Sequence, residues 1–363
     1  MNEILNSQMD SLNIKKFLDS ARYYTQNAFP DLNISDLFNS SVTGNLGNSK
    51  NFIINCFGEI FSRELITSIN LMTSVLIVIV IHSIFKTIVE SLENSTASQM
   101  VYMIQYLVIV TMVINSLVSI LEITKESINE LINFMNQLIP LLITLMLTTG
   151  SVVTTTMAQP ILIFMVSFIG NFINIFIIPL LLISIALSII SNISEKIEIN
   201  KISTFLKSSI VWVLGIILTI FTCTLSIEGT LSSSVDGMTA KTAKAAVSNF
   251  IPVVGKIMGD SVETVIGCGN ILKNSVGILG VIIIVGIVAI PIIKMCLLMI
   301  SFKITSAVCE VIADVKIVKL IDNIADSYKI LLAILISISI MFIIGITIVI
   351  KITNSSIMYR WGK

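Results

Sequence analysis

Side chains able to do chemistry are few in this sequence, and they are scattered. His82 is the single histidine, so neither a multi-histidine metal cluster nor a Cys-His-carboxylate system with more than one imidazole can be assembled. The five cysteines, Cys56, Cys223, Cys268, Cys296 and Cys309, include no C-x-x-C pair, and Cys223 and Cys296 fall inside apolar runs. They read as small buried hydrophobes with no disulfide or metal role. No pair of acidic or nucleophilic groups occupies corresponding depths in the apolar segments. The inventory therefore points to no catalytic residue, no metal site and no cofactor site.

The elements that would position such residues are set by composition. Of 363 residues, 55% are hydrophobic and 12% charged, with a mean hydropathy of +0.98. Soluble domains usually carry about 25% charged residues, so the chain reads as an integral membrane protein. Its formal net charge is zero, which offers no electrostatic footing for nucleic acid. The opening "MNEILNSQMDSLNIKKFLDS" lacks the apolar core of about 7 to 15 residues that a secretory signal needs.

The expected fold is all-α and polytopic. Residues 1–50 form a polar soluble prefix. In 51–65, Phe52, Ile53, Cys56, Phe57, Ile60, Phe61 and Leu65 share a helical face opposite Asn51, Asn55, Glu59 and Arg63, which suits an interfacial helix or one packed on its neighbours. Since a crossing takes about 20 apolar residues, spans are expected near 66–85, 101–121, 131–148, 206–227, 276–300 and 329–350. The 160–190 stretch would extend about 46 Å as one helix. With Pro179 inside it, we expect one tilted, kinked crossing, the seventh. A first membrane region then covers 66–227, a second 276–350, and a polar tail 351–363. Fourteen Lys and Arg fall on the side of the N-terminus and eight on the other, which favours a cytoplasmic N-terminus. Within 301–327, Ile304, Val308, Val311, Val315, Val318 and Ile321 recur at three- and four-residue steps, as in an amphipathic helix.

Amides at bilayer depth, Gln105, Asn115, Gln137, Asn171 and Asn174, need partners or water. Asn171 and Asn174 share a face and are candidates for a helix contact or a pore lining. Lys294, after Pro291, either snorkels to the interface or marks an aqueous path.

Residues 239–260, within the connection 228–275, are too polar for an ordinary span. The connection divides into two helix-like halves around "FIPVVG". Ser234 or Asp236 could cap the first, placing Lys241, Lys244 and Ser248 on one face. Each half is roughly 21 to 27 Å long as helix, short of a crossing. The pattern fits a helical hairpin, either re-entrant or resting at the interface, turning at Pro252 to Gly255; a re-entrant one would have to line a cavity or an oligomeric pore.

"TLSSSVDGMTAKTAKAAVSNFIPVVGKIMGDSVETVIGCGNILKNSVGILG", residues 230–280, closely resembles the signature region of the stage III sporulation protein AE family. The polytopic layout on both sides agrees over roughly residues 50–350. The resemblance implies a multi-pass protein of the mother-cell membrane surrounding the forespore, in the channel joining the two cells. It implies as partners the membrane, other mother-cell proteins of the stage III sporulation A operon, including ring proteins and an ATPase, and indirectly a forespore channel protein. A non-enzymatic channel or export-platform subunit is the function it favours, supporting late forespore gene expression and assembling as a homo-oligomer. Lys241, Lys244, Ser248, Asn249, Pro252 and Gly255 are the expected pore or gate residues. The alternatives are a self-contained small-molecule transporter with a site near Asn171, Asn174 and Lys294, and a structural anchor for the rings.

Overall fold

The computed structural model describes the backbone of residues 8–9, 12, 14–30, 32–44, 47–90, 95–193, 200–250 and 254–361. Side chains are described over the same ranges except at 47–53, 86, 89–90, 95–99, 101–102, 105, 192–193, 233, 237, 239–250, 254–264 and 353–361. All regular structure among these residues is helical. Two short helices, α1 (Ile14–Thr25) and α2 (Ile34–Thr43), precede six long rods: α3 (Gly47–Glu90), α4 (Ser95–Thr148), α5 (Val152–Phe172) running on through a π turn (Ile173–Ile177) into α6 (Ile178–Ile193), α7 (Asn200–Phe250), α8 (Val254–Cys309) and α9 (Val315–Trp361). Each rod contains a stretch long and apolar enough to cross a bilayer, six in all among the described residues.

The sequence suggested about seven crossings, and the difference lies in α4. The expected spans 101–121 and 131–148 belong to one continuous 54-residue helix, because the intervening "EITKESINE" holds no Pro or Gly and is made of residues a helix accepts. The 160–190 stretch makes a single crossing. Its irregularity is the π turn, which begins six residues before Pro179. Proline lacks an N–H and its ring collides with the carbonyl four residues back, here Ile175, and the wider turn makes room for it.

Alternation of direction follows from the contacts. A Cβ on Gly269 would meet Thr148, one on Gly280 would meet Leu138, and Thr124 donates to the Met295 sulfur, so α4 and α8 are antiparallel. Gly170 abuts Ile132, and Gly277 abuts Ile350 and Ile346, fixing the α4–α5 and α8–α9 pairs in the same sense. Ser184 and Ser203 exchange hydroxyl-to-carbonyl hydrogen bonds of 3.0 and 2.8 Å where α6 packs on α7. Such buried hydroxyl pairs and close glycine approaches are how helices associate where apolar surface alone gives no preference.

The prefix folds onto this bundle. Asn33 caps α2 by accepting from the Ser35 and Asp36 N–H groups, and Gly44 ends it in a left-handed conformation. Phe17 and Tyr24 of α1 meet Phe134 of α4, while Thr25 and Phe29 lie against Gly286 of α8. The 51–65 segment is the first part of α3, continuous with 66–85. Residues 301–327, expected as one helix, are two helix ends: α8 stops at Cys309, a turn whose N–H groups bond back to Ser306 and Cys309 follows, and Asp314 leads into α9.

Six alternating crossings also bring the α7–α8 connection to the same end of the bundle as α3 begins. The seven-span count placed them on opposite sides.

Candidate functional site

Polar side chains inside the bundle collect at three depths. At the α8–α9 turn, the Lys303 ammonium lies 2.6 Å from Asp322 and 3.0 Å from Asp326. Beside them Lys207 of α7, 8% exposed, donates to the Asn323 carbonyl at 2.9 Å. His82 of α3 sits 3.3 Å from the Asp314 carboxylate. These groups tie α3, α7 and α8 to the start of α9.

At the other end Lys273 of α8 is 0% exposed and donates to the Ile350 carbonyl at 3.4 Å. Asp236 of α7, 3% exposed, accepts from the Val153 and Thr154 N–H groups at 2.9 and 3.0 Å. Ser151 leaves the start of α5 without a side-chain cap of its own, so Asp236 supplies one from another helix, with a full charge at the positive end of the dipole. One turn earlier on α7, Ser232 donates to Glu228 at 3.0 Å. Glu228 lines a mainly apolar cleft of about 530 Å³ with Val153, Met157, Leu231 and Val235.

Lys273 and Lys303 are thirty residues apart on α8, about 45 Å along the helix. That is the thickness of a bilayer with its headgroup layers. This spacing would let the two charged belts sit at the two membrane faces.

The third depth lies between them. Asn174, in the π turn, donates to Asn129 of α4 at 3.0 Å, and Gln137 donates to the Tyr24 hydroxyl at 3.1 Å. Asn171, one turn before Asn174, is exposed, as is Asn115 of α4, and Lys294 is half-buried on α8. The Gln105 side chain lies outside the described residues. Among the described residues Lys294 makes no ion pair, and the structure joins Asn174 to Asn129 and not to Lys294.

The hairpin residues singled out from sequence lie differently. Helix α7 runs without interruption to Phe250 and α8 starts at Val254, so the two arms prolong neighbouring crossings. Neither Ser234 nor Asp236 is a helix start, since no proline interrupts α7. From the level of the Asp236 cap, α7 continues about 20 Å. Lys241, Lys244, Ser248, Asn249 and Gly255 lie on helical backbone with side chains outside the described residues, and Pro252 lies outside them altogether.

Sequence reasoning did not find Asp236 as the cap of α5, nor the Lys207–Lys303–Asp322–Asp326 group. The carboxylates sit at four-residue spacing, but only the tertiary fold brings lysines to them. Among the described residues no group of three His, Cys, Asp or Glu is placed to hold a metal.

Comparison with known proteins agrees with the signature. The family profile described as Stage III sporulation protein AE matches residues 32–353. Stage III sporulation protein AE of Bacillus subtilis (strain 168) is 31% identical over 208 residues, 57% of this chain and 52% of that protein; the chain spans about half the length of this curated relative in the match. No solved structure matches. An all-helical membrane bundle whose signature segment joins α7 to α8, matched by that profile over most of its length, belongs to the stage III sporulation protein AE family.

Proposed function

We propose that this chain is a non-enzymatic membrane subunit of the channel or export platform that links mother cell and forespore. It resides in the mother-cell membrane around the forespore and works with the ring proteins and ATPase of the same operon to sustain late forespore gene expression. The observation that carries this reading is that the helices on either side of the signature turn, α7 and α8, run on as its two arms. Its arms continue two crossings past one charged belt, which gives the bundle a helical extension toward partners or toward the axis of an assembly. In this reading Lys241, Lys244, Ser248 and Asn249 face water, and Pro252 with Gly255 sets the bend.

Deletion of the gene tests the role: spore formation should arrest after engulfment, and normal spores from a deletion strain would overturn it. The hairpin's part is tested by cysteines placed singly along 239–260. Reaction of a helical subset with a water-soluble thiol reagent in intact membranes is expected; uniform resistance would remove the hairpin from any aqueous path.

A further inference from the structure

The relative level of three rods is fixed by close contacts. Gly277 meets Ile350, Gly229 meets Ile352 and Gly345 meets Phe221, so the apolar segments 206–227, 276–300 and 329–350 lie side by side between the charged belts. Along α4, Leu138 abuts Gly280 and Thr124 bonds to Met295. Residues 124–138 of α4 therefore run alongside residues 280–295 of the apolar 276–300 segment, with Glu122, Lys125 and Glu126 level with its second half.

That part of α4 is polar on its outer side. Glu122, Lys125, Glu126, Asn129, Asn133, Asn136 and Gln137 are all exposed on the single chain, and they recur at three- and four-residue steps as one stripe about 22 Å long. Among the described residues Glu122, Lys125 and Glu126 have no ion-pair partner. The same flank carries α1, seated on Phe134 and Gly286, with Lys15, Lys16, Asp19 and Arg22 exposed. Hydrocarbon cannot solvate such a flank, because a charged side chain at the centre of a bilayer costs at least about 2.5 kcal/mol and persists only facing protein or water.

We propose that this flank, formed by α1 and the polar stripe of α4, is the contact face for a second copy of the chain. The charges are self-complementary. Lys15, Lys16 and Arg22 against Asp19 leave α1 with a net charge of +2, while Glu122 and Glu126 against Lys125 leave the exposed stripe with −1, to which the half-buried Glu130 beside it adds another negative charge. A two-fold axis along the membrane normal keeps both copies in the same orientation and sets α1 of each against the stripe of the other, an isologous contact. The polar groups of the stripe then face protein, and lipid meets the apolar outer surface, including the ladder Phe164, Phe168, Phe172 and Phe176 with Trp212. The proposal deepens the subunit reading by naming the first contact in the assembly.

The test is the mass of the purified full-length protein in mild detergent and in nanodiscs, by light scattering. Wild type should be dimeric or a multiple of two. Reversal of the stripe in Glu122→Lys/Glu126→Lys should yield monomers with unchanged helical content, and adding Lys16→Glu and Arg22→Glu should restore the dimer. A second measurement uses Asn133→Cys in a background with the five native cysteines replaced by serine, and a short bis-thiol cross-linker should join two copies. Monomeric wild type, association that survives the reversal, or an Asn133→Cys thiol that reacts with a water-soluble reagent while never cross-linking would overturn the proposal. Spore formation enters none of these readouts, so failure here is distinguishable from failure of the subunit reading.

Discussion

Asp236 is a residue whose value lies in where it points. Its carboxylate occupies the start of α5, where two N–H groups would otherwise be left without acceptors beside a tight turn. Loss of a cap costs about 1 kcal/mol and an orphaned buried donor about 1 to 3. Asp236→Ala should therefore lower stability by about 2 kcal/mol, whereas Asp236→Asn, which keeps one acceptor, should lose less; thermal unfolding in detergent compares them. The Lys303 group makes the opposite prediction. Its carboxylates and ammonium are each nearly half exposed, so Lys303→Ala should cost no more than about 1 kcal/mol.

Among the elements, glycines set how closely the rods approach. At Gly277 an added methyl would run into the Ile350 side chain, and overpacking of this kind costs about 1 to 3 kcal/mol. Gly277→Ala should destabilise by that amount, and Ile350→Ala combined with it should recover part of the loss, which a double-mutant cycle on unfolding in detergent would measure. Elements were also where the sequence was easiest and hardest to read. Apolar length announced the crossings of α7, α8 and α9, and Pro179 announced trouble in the α5–α6 rod. The continuity of α4 was hidden because Glu122, Lys125, Glu126 and Glu130 looked like a connection. Their three- and four-residue spacing was the available sign that the helix carries on. No pattern in the sequence could show that Asp236 caps a helix more than eighty residues away, since that depends on the packing of α7 beside α5.

For the whole molecule, the two charged belts act as a gauge. With Lys207 and Lys303 at one face and Lys273 at the other, bilayers that miss this spacing must deform, at fractions of a kcal/mol per Å. The melting temperature of the reconstituted protein should peak in lipids of about 30 Å hydrocarbon thickness and fall in thinner and thicker ones. A flat response across chain lengths would move the belts away from the membrane faces. The polar stripe of α4, by contrast, takes its meaning from its level in the bundle, and this is why the candidate site could not be read from residue types alone. The polarity of Asn129 and Glu130 acquires meaning only once α8 fixes their depth.

The π turn at Ile173–Ile177 gives the α5–α6 rod a slack that the other rods lack among the described residues. An i to i+5 turn holds one residue more than an α-helical turn. Removing the exposed Ile175 should tighten this turn with Ser184 still opposite Ser203, at the cost of pressing the Pro179 ring on the carbonyl four residues back. Removing Leu182 should turn everything after it by about 100° and carry Ser184 off its partner. Chain length in this rod can thus change by one residue at a single place without the bundle losing its register.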